Sequence, residues 1–164
     1  MTILVKNKHT LQIDEFKFRC CIGKNGSTKN KKEGDKKTPK GTFEIENLYF
    51  RGDRKQKPAT SLKCIEIKKY MGWCDDIHFP KKYNKLFKIK NNIKHEKLKR
   101  RDYKYNLLIP IKYNFKKPIV EKGSCIFIHL TKNYRPTAGC IALKEKDFLI
   151  MLKLIKKNSK IKIL

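Results

Sequence analysis

The chain has 164 residues and a formal net charge of +27, from 42 Lys and Arg against 15 Asp and Glu. That length suffices for one domain with a real core, and the lack of any run of eighteen or more apolar residues argues against a transmembrane helix. The opening MTILVKNKHTLQID alternates and carries charge early, without the basic, then apolar, then small-residue plan of a secretory signal. The chain therefore stays inside the cell, lacks a targeting segment here, or leaves by a route its start does not reveal.

Taken in order, Thr2–Lys6, His9–Ile13 and Phe16–Ile22 read as strands, the first two joined by a short Asn7-Lys8 turn. Gly, Asn, Lys and Asp dominate from Gly23 to Gly41, which predicts a long polar loop of the kind that often carries function. Alternation resumes over Thr42–Tyr49 and Lys63–Tyr70, and GWCDD at Gly72–Asp76 holds the single Trp. Residues 78–105 are mostly charged and aperiodic, a long insertion of loop with a short helix expected near His95–Arg101. Asn106–Tyr113 reads as a strand in which Pro110 suggests an edge or a bulge. Ser124–Leu130 is the most apolar strand and is expected to be central. Apolar residues at 148, 149, 151, 152 and 155 give Lys144–Lys157 one apolar helical face, with Asn158 to end it and KIKIL as a closing strand. Nothing repeats and no Pro/Gly/Ser linker divides the chain. Residues 1–164 are expected to form a single mainly β domain with one helix.

The charge invites a nucleic-acid reading through phosphate neutralisation. Only Arg19, Arg51, Arg54, Arg100, Arg101 and Arg135 are Arg, whereas base readers lean on Arg forks. The Lys are scattered, and Lys, Asn and Ile rise together as AT-rich codons would dictate. The expectation is non-specific attraction to anionic polymers, a cell wall included, and no specific nucleic acid. The cysteines are Cys20, Cys21, Cys64, Cys74, Cys125 and Cys140, with no CxxC pair. Adjacent Cys20 and Cys21 in a strand point to opposite faces. Cys74 and His78 make only a zinc half-site without a partner half. No metal is expected, and most of these thiols read as core residues.

One stretch departs from this background: IFIHLTKNYRPTAGCIAL, Ile126 to Leu143. His129 closes an apolar strand, and Gly139-Cys140 follows after a polar, Pro-containing loop. A thiol becomes a strong nucleophile beside a base or in an electropositive setting. A His on a strand end is rigidly held, with one ring nitrogen able to face the thiol. Gly139 removes a side chain where a substrate carbonyl must approach, and the N–H groups around Cys140 are placed to bind an oxyanion. Spacing alone is weak, since a His and a Cys eleven apart in a Cys-rich chain often meet by chance.

The pattern is sharper than the spacing. His129…Thr137-x-Gly139-Cys140-Ile141-x-Leu143 resembles the signature of the L,D-transpeptidase catalytic domain, the YkuD-like family. GKNGSTKNKKEGDKKTPKGTFEI is similar to an upstream stretch of the same family, and GWCDD and YNLLIPIKYN resemble a bacterial branch of it. The resemblance runs from about Val5 to the C-terminus. It implies a β-sandwich with the site at one end, and a reaction that needs no cofactor. Cys140 attacks the carbonyl at the third residue of a peptidoglycan stem, expels the terminal D-residue and holds an acyl-enzyme, with His129 as proton donor and acceptor. An amine of a neighbouring stem then takes the acyl group, giving a 3→3 cross-link. Water as acceptor gives a carboxypeptidase or endopeptidase instead. The family works in the periplasm or cell envelope, although no signal is visible here. A monomer is expected.

Two positions depart from the family pattern. Many members have His before the Gly-Cys pair and Arg two residues after the Cys, where this chain has Ala138 and Ala142. Arg135 is the first candidate for the missing cation, followed by Arg100 and Arg101. Thr137 either hydrogen-bonds near the thiol or shapes the turn. Asp75 and Asp76 suit an amino group of a stem peptide, or a solvated turn. Trp73 lines the cleft or, more commonly for Trp, sits in the core. Glu33, Asp35 and Thr38 are expected to fix the upstream loop by turn hydrogen bonds. His9, His78 and His95 are expected to face solvent. Three classes compete: an acyltransferase, a hydrolase of the same polymer, and a non-catalytic basic domain that binds wall polymer or nucleic acid. The last has no need of a His and Gly-Cys site.

Overall fold

The computed structural model describes residues 1–90 and 92–164. Residue 91, inside the expected insertion, lies outside the described residues. In chain order the strands are β1 (Thr2–Val5), β2 (Thr10–Ile13), β3 (Phe16–Cys21), β4 (Ser27–Thr28), β5 (Thr38–Pro39), β6 (Gly41–Glu44), β7 (Leu48–Phe50) and β8 (Cys64–Glu66). Then come β9 (Met71–Cys74), β10 (Leu86–Lys88), β11 (His95–Lys97), β12 (Leu107–Pro110), β13 (Phe127–Leu130), β14 (Ile141–Leu143), helix α1 (Glu145–Leu154) and β15 (Lys160–Ile163). Ten of them form one sheet in the order β6-β15-β1-β2-β3-β14-β13-β12-β7-β8. The mainly β expectation is met. Among the described residues no helix is long and apolar enough to cross a membrane.

The sheet curls. Residues 45–47 carry the chain from β6, at one edge, to β7, near the other. On the way Ile45 bridges Ile111 just beyond β12, and the Lys112 amide bonds the Glu44 carbonyl at 2.9 Å. The expected single strand Thr42–Tyr49 is thus two strands at opposite ends of the order, joined by this closure. Between the Leu108–Tyr49 pair and the Ile111–Ile45 bridge, three residue steps face four, which is a bulge. Pro110 sits opposite it. The bulge half of the Pro110 expectation holds. The edge half does not, because β12 lies between β13 and β7.

Alternation sends the two faces of the sheet to different cores. Ile128 and Leu130 of β13 join Ile3, Leu11, Ile141 and the α1 residues Phe148, Met151 and Leu152 inside the curl. Phe127 faces the other way, toward Trp73, Tyr105, Leu108 and Cys140. Over that outer face lies a second sheet, β10-β9-β11, whose Trp73 meets Phe127 edge-on at 5.3 Å between ring centroids. The expected insertion therefore contributes two strands to a covering layer. The helix expected near His95–Arg101 is instead strand β11, paired with β9 in the register His95–Cys74. His95 does not face solvent: its Nδ1 bonds the Ile93 carbonyl at 2.7 Å and its Nε2 is sealed from water.

Helix α1 is shorter than its periodicity suggested. Ile155 is extended and buried, and the chain turns there through the Ser159 side chain, which accepts from the Lys156 amide. The run expected as strand Ser124–Leu130 begins only at Phe127, because Cys125 takes a left-handed conformation with φ 54°. β13 is flanked by β12 and β14, so it is internal as expected.

Candidate active site

His129 is the third residue of β13, paired in parallel register with Ala142 of β14. Cys140 precedes Ala142 by two, so alternation places His129, Ala142 and Cys140 on the same face. Both His129 and Cys140 line one cavity of about 660 Å³, at the border between the curled sheet and the covering sheet. Gly139, Thr137, Arg135 and Asp75 line it too.

Two chain segments, residues 22–24 and residues 37–38, seat the Thr137–Cys140 loop. Gly23 bridges Thr137 in parallel, with the Thr137 amide donating to the Ile22 carbonyl and the Lys24 amide to the Thr137 carbonyl, each at 2.9 Å. Thr38, fully buried, accepts from the Gly23 N–H at 2.9 Å and donates its hydroxyl to the Gly139 carbonyl at 2.8 Å. Gly139 has φ +142°, and a Cβ there would lie 2.9 Å from the Lys37 carbonyl oxygen. Glycine at this point serves that close approach of two backbones. On that side of the residue the space is taken by Lys37, so the clearance expected for a substrate carbonyl is not found there. Thr137 shapes the turn: its hydroxyl donates to the Cys140 carbonyl at 2.6 Å and accepts from the Gly139 amide at 3.1 Å.

The upstream loop is fixed by its acids. Asp35 accepts from the Lys32 and Lys37 amides and from the Lys31 ammonium. The Glu33 carboxylate ties the loop to Tyr83 and to Ser124. Replacing Thr38 by Val should therefore loosen the candidate site from a distance. It leaves a buried N–H and a buried carbonyl unpaired, at a cost of about 1–3 kcal/mol. The urea midpoint of T38V should fall while that of T38S stays close to the parent. An unchanged midpoint for T38V would show that the hydroxyl does not carry this link.

The Cys140 thiol accepts from the Phe127 amide at 3.4 Å and donates to the Cys125 carbonyl at 3.2 Å. Burial pushes it up to about 12. His129 is 7% exposed, and burial pushes its imidazole down to about 4. Nδ1 meets the Leu130 carbonyl at 2.9 Å, which makes it the protonated nitrogen and leaves the Nε2 lone pair unused. The site in this state holds a neutral thiol and a neutral imidazole, not an ion pair. That is the protonation state from which a histidine can accept a proton. Lys31 and Arg100 favour the thiolate, but burial outweighs them.

The other expected residues divide. Arg135 is exposed and reaches the cavity lining, while its carbonyl accepts from the Cys21 thiol at 3.3 Å. Arg100 is engaged by Glu96 and Asp102 and lies over the Tyr105 ring. Asp75 lines the cavity, with Oδ1 buried and without a partner. Burial raises its carboxyl above the ordinary range, Glu33 and Glu96 push the same way, and Lys94 opposes them. Asp76 is turned elsewhere: it accepts from the amides of Lys94 and His78, which hold its carboxyl below the usual range, and it is not part of this cavity's lining. Trp73 is buried behind the site, with its indole N–H on Asn84 at 2.9 Å, and does not line the cavity. The role in substrate binding expected of Asp76 and Trp73 is thus replaced by turn and core roles. Sequence reasoning missed Tyr105 and Glu96. Tyr105 packs edge-on against His129 at 5.4 Å, and its hydroxyl donates to Glu96 at 3.0 Å. Both lie in the 78–105 insertion, Glu96 where a short helix was expected, and no motif marked them.

The model of the L,D-transpeptidase catalytic domain family, YkuD, matches residues 1–163. The chain belongs to that family. The family is generally one of cysteine-dependent peptidoglycan transpeptidases of the cell envelope. No curated protein matches the chain. Among solved structures, it is similar to Bd1075 of Bdellovibrio bacteriovorus, at 14% identity and a TM-score of 0.48, over 99% of this chain and 47% of that one. The chain thus spans about half the length of that protein.

Proposed function

We propose that this L,D-transpeptidase family member is a cysteine acyltransferase acting on peptidoglycan stem peptides in the cell envelope. The observation that carries the proposal is the shared cavity of Cys140 and His129, set on one sheet face with the imidazole Nε2 free. Cys140 is the nucleophile. Its proton passes to His129 as sulfur attacks the carbonyl of the third stem residue. The same proton protonates the departing D-residue's amine, leaving a thioester. An acceptor amine then takes the acyl group. The Gly139 N–H is taken by the Thr137 hydroxyl, so the Cys140 N–H at this bend is the candidate to hold the oxyanion. The chain works as one catalytic unit and a monomer, and its +27 charge brings it to anionic wall polymer without base-specific nucleic-acid recognition. Incubation with disaccharide-tetrapeptide, read by mass, tests this. A cross-linked dimer supports transpeptidation, tripeptide alone supports the hydrolase, and an unchanged substrate supports a binding module.

Arg135 takes the place of the family's cation at Ala142. Ala142 is fully buried and pairs with Cys21, whereas Arg135 reaches the cavity from the loop that carries Cys140. A carboxylate of the stem needs a fork of donors, which Arg offers and Lys does not. R135K is expected to raise the Michaelis constant for the tetrapeptide severalfold, and R135A combined with A142R to recover part of the loss. Full activity of R135A on the donor would remove Arg135 from the account. Arg101 does not line the cavity and Arg100 is already paired, so neither offers a free fork in its stead.

A further inference from the structure

The second half of such a reaction has a cost specific to this chain. An acceptor amine arrives at neutral pH as an ammonium, and a protein of net charge +27 repels it at a distance. The cavity that holds Cys140 is lined by Lys31, Lys36, Arg100, Lys104 and Arg135, and among them stand three carboxylates that can receive an ammonium, Glu33, Asp75 and Glu96. Glu33 accepts from Tyr83 and Ser124 at one oxygen, Oε2. Glu96 is likewise held at one oxygen, but by groups tied to the candidate base. Its Oε1 receives both the Tyr105 hydroxyl at 3.0 Å and the Arg100 guanidinium at 2.8 Å. Among the described residues no protein donor reaches Oε2. Tyr105 is 7% exposed and packs against both His129 and Phe127, so the group that clamps Glu96 is itself fixed to the candidate base. Arg100 lies 4.9 Å from the Tyr105 ring centroid and is held in turn by Asp102. The result is a carboxylate held at one oxygen, with the other left for a ligand in the cavity it shares with the thiol. Nearby, Asp75 carries a buried oxygen without any partner.

Resting on the acyltransferase reading, we infer that Glu96, held by Tyr105 and Arg100, positions the ammonium of the acceptor for attack on the Cys140 thioester. The ammonium gives up one proton to solvent from its place on Glu96. The freed amine attacks the thioester carbonyl, the C–N bond forms and the C–S bond breaks. The second proton passes through His129 to the departing thiolate. One ammonium and one thioester become one amide, one thiol and one released proton.

The test is the partition of the acyl-enzyme between amine and water. The donor is disaccharide-tetrapeptide; the acceptors are a tripeptide stem bearing a primary ammonium, and methoxyamine, which is uncharged at pH 7. E96Q should lower the amide-to-hydrolysis ratio with the ammonium acceptor about tenfold, the scale of one charge-assisted hydrogen bond. It should slow acylation by a clearly smaller factor and leave the methoxyamine ratio near the parent value. Y105F keeps the ring against His129 and removes one of the two bonds that hold Glu96, so it should move the ratio in the same direction by less. An unchanged ratio in E96Q overturns the inference. So does an equal fall with methoxyamine, which would mean a general distortion, or an equal fall in acylation, which would place the carboxylate on the donor. A wild-type acyl-enzyme that accepts water alone overturns this inference and leaves the acyl-enzyme chemistry standing. A wild-type protein that forms no acyl-enzyme defeats the acyltransferase reading, and this one with it.

Discussion

Cys140→Ala should bring release of the terminal residue from a tetrapeptide stem to background while the protein stays folded. The Cys140 thiol shares the cavity and the sheet face with His129, so its loss removes the proposed pathway, and the Cys125 thiol that also lines the cavity is not expected to replace it. The fold loses little. Only a long contact from the Phe127 amide and a weak S–H bond to the Cys125 carbonyl disappear, worth about 1 kcal/mol together with the small space left behind. C140S restores a hydroxyl of similar shape, so it should restore the urea midpoint without restoring turnover. Cys20 and Cys21 lie on opposite faces of β3, one in the core inside the curl and the other bonded to Arg135. C20A should alter stability and leave turnover near the parent. Substantial turnover by C140A, with product quantified by mass, would mean that the chemistry lies elsewhere.

His129→Ala should cost roughly two to four orders of magnitude in acylation, the range of general-base assistance. H129Q should be nearly as impaired, because a side-chain amide fills much of the space without accepting the proton. Replacements at the exposed His9 and His78 should act like the parent. H95A should unfold more easily, since its ring packs against Phe87 and bonds Ile93, yet should keep its rate once folded. The pH profile carries a signed prediction. Burial disfavours imidazolium at His129, so the base remains free well below the ordinary histidine value. Acylation should hold as pH drops from 7 through 6 and be lost only as it falls through about 4. At the alkaline end the thiol, pushed up to about 12, stays protonated, so ionisation of Cys140 should give no limb near pH 8 or 9. An acid limb centred near 6.5 would show that His129 is not buried as described, or is not the group that titrates.

The features legible in the chain were those written locally. Phe127–Leu130 announced itself as an internal strand because both its faces are buried, and α1 by its apolar spacing at Phe148, Met151 and Leu152. The neighbourhood of His129 and Cys140 was legible through the motif, and the parallel register of β13 with β14 supplies its geometry. What the sequence hid were effects that depend on distant partners. His95–Lys97 is a strand only because Met71–Cys74 offers it an edge, and its own residues are too polar to declare the pairing. The split of Thr42–Tyr49 follows from closure of the curl at Ile45 and Ile111. Gly139 looked like room for a substrate, yet Lys37, about a hundred residues earlier, fills that side of it. Trp73 and Asp76 share a five-residue stretch with Asp75, and only Asp75 lines the cavity with the thiol.

The most direct measurement is the intact mass of the protein during reaction with disaccharide-tetrapeptide, followed by peptide mapping. The account predicts a transient adduct equal to the donor less its terminal residue, mapped to Cys140 as a thioester, absent from C140A and strongly slowed in H129A. An adduct on another cysteine, or cleavage of the donor with no covalent species under single-turnover conditions, would contradict it.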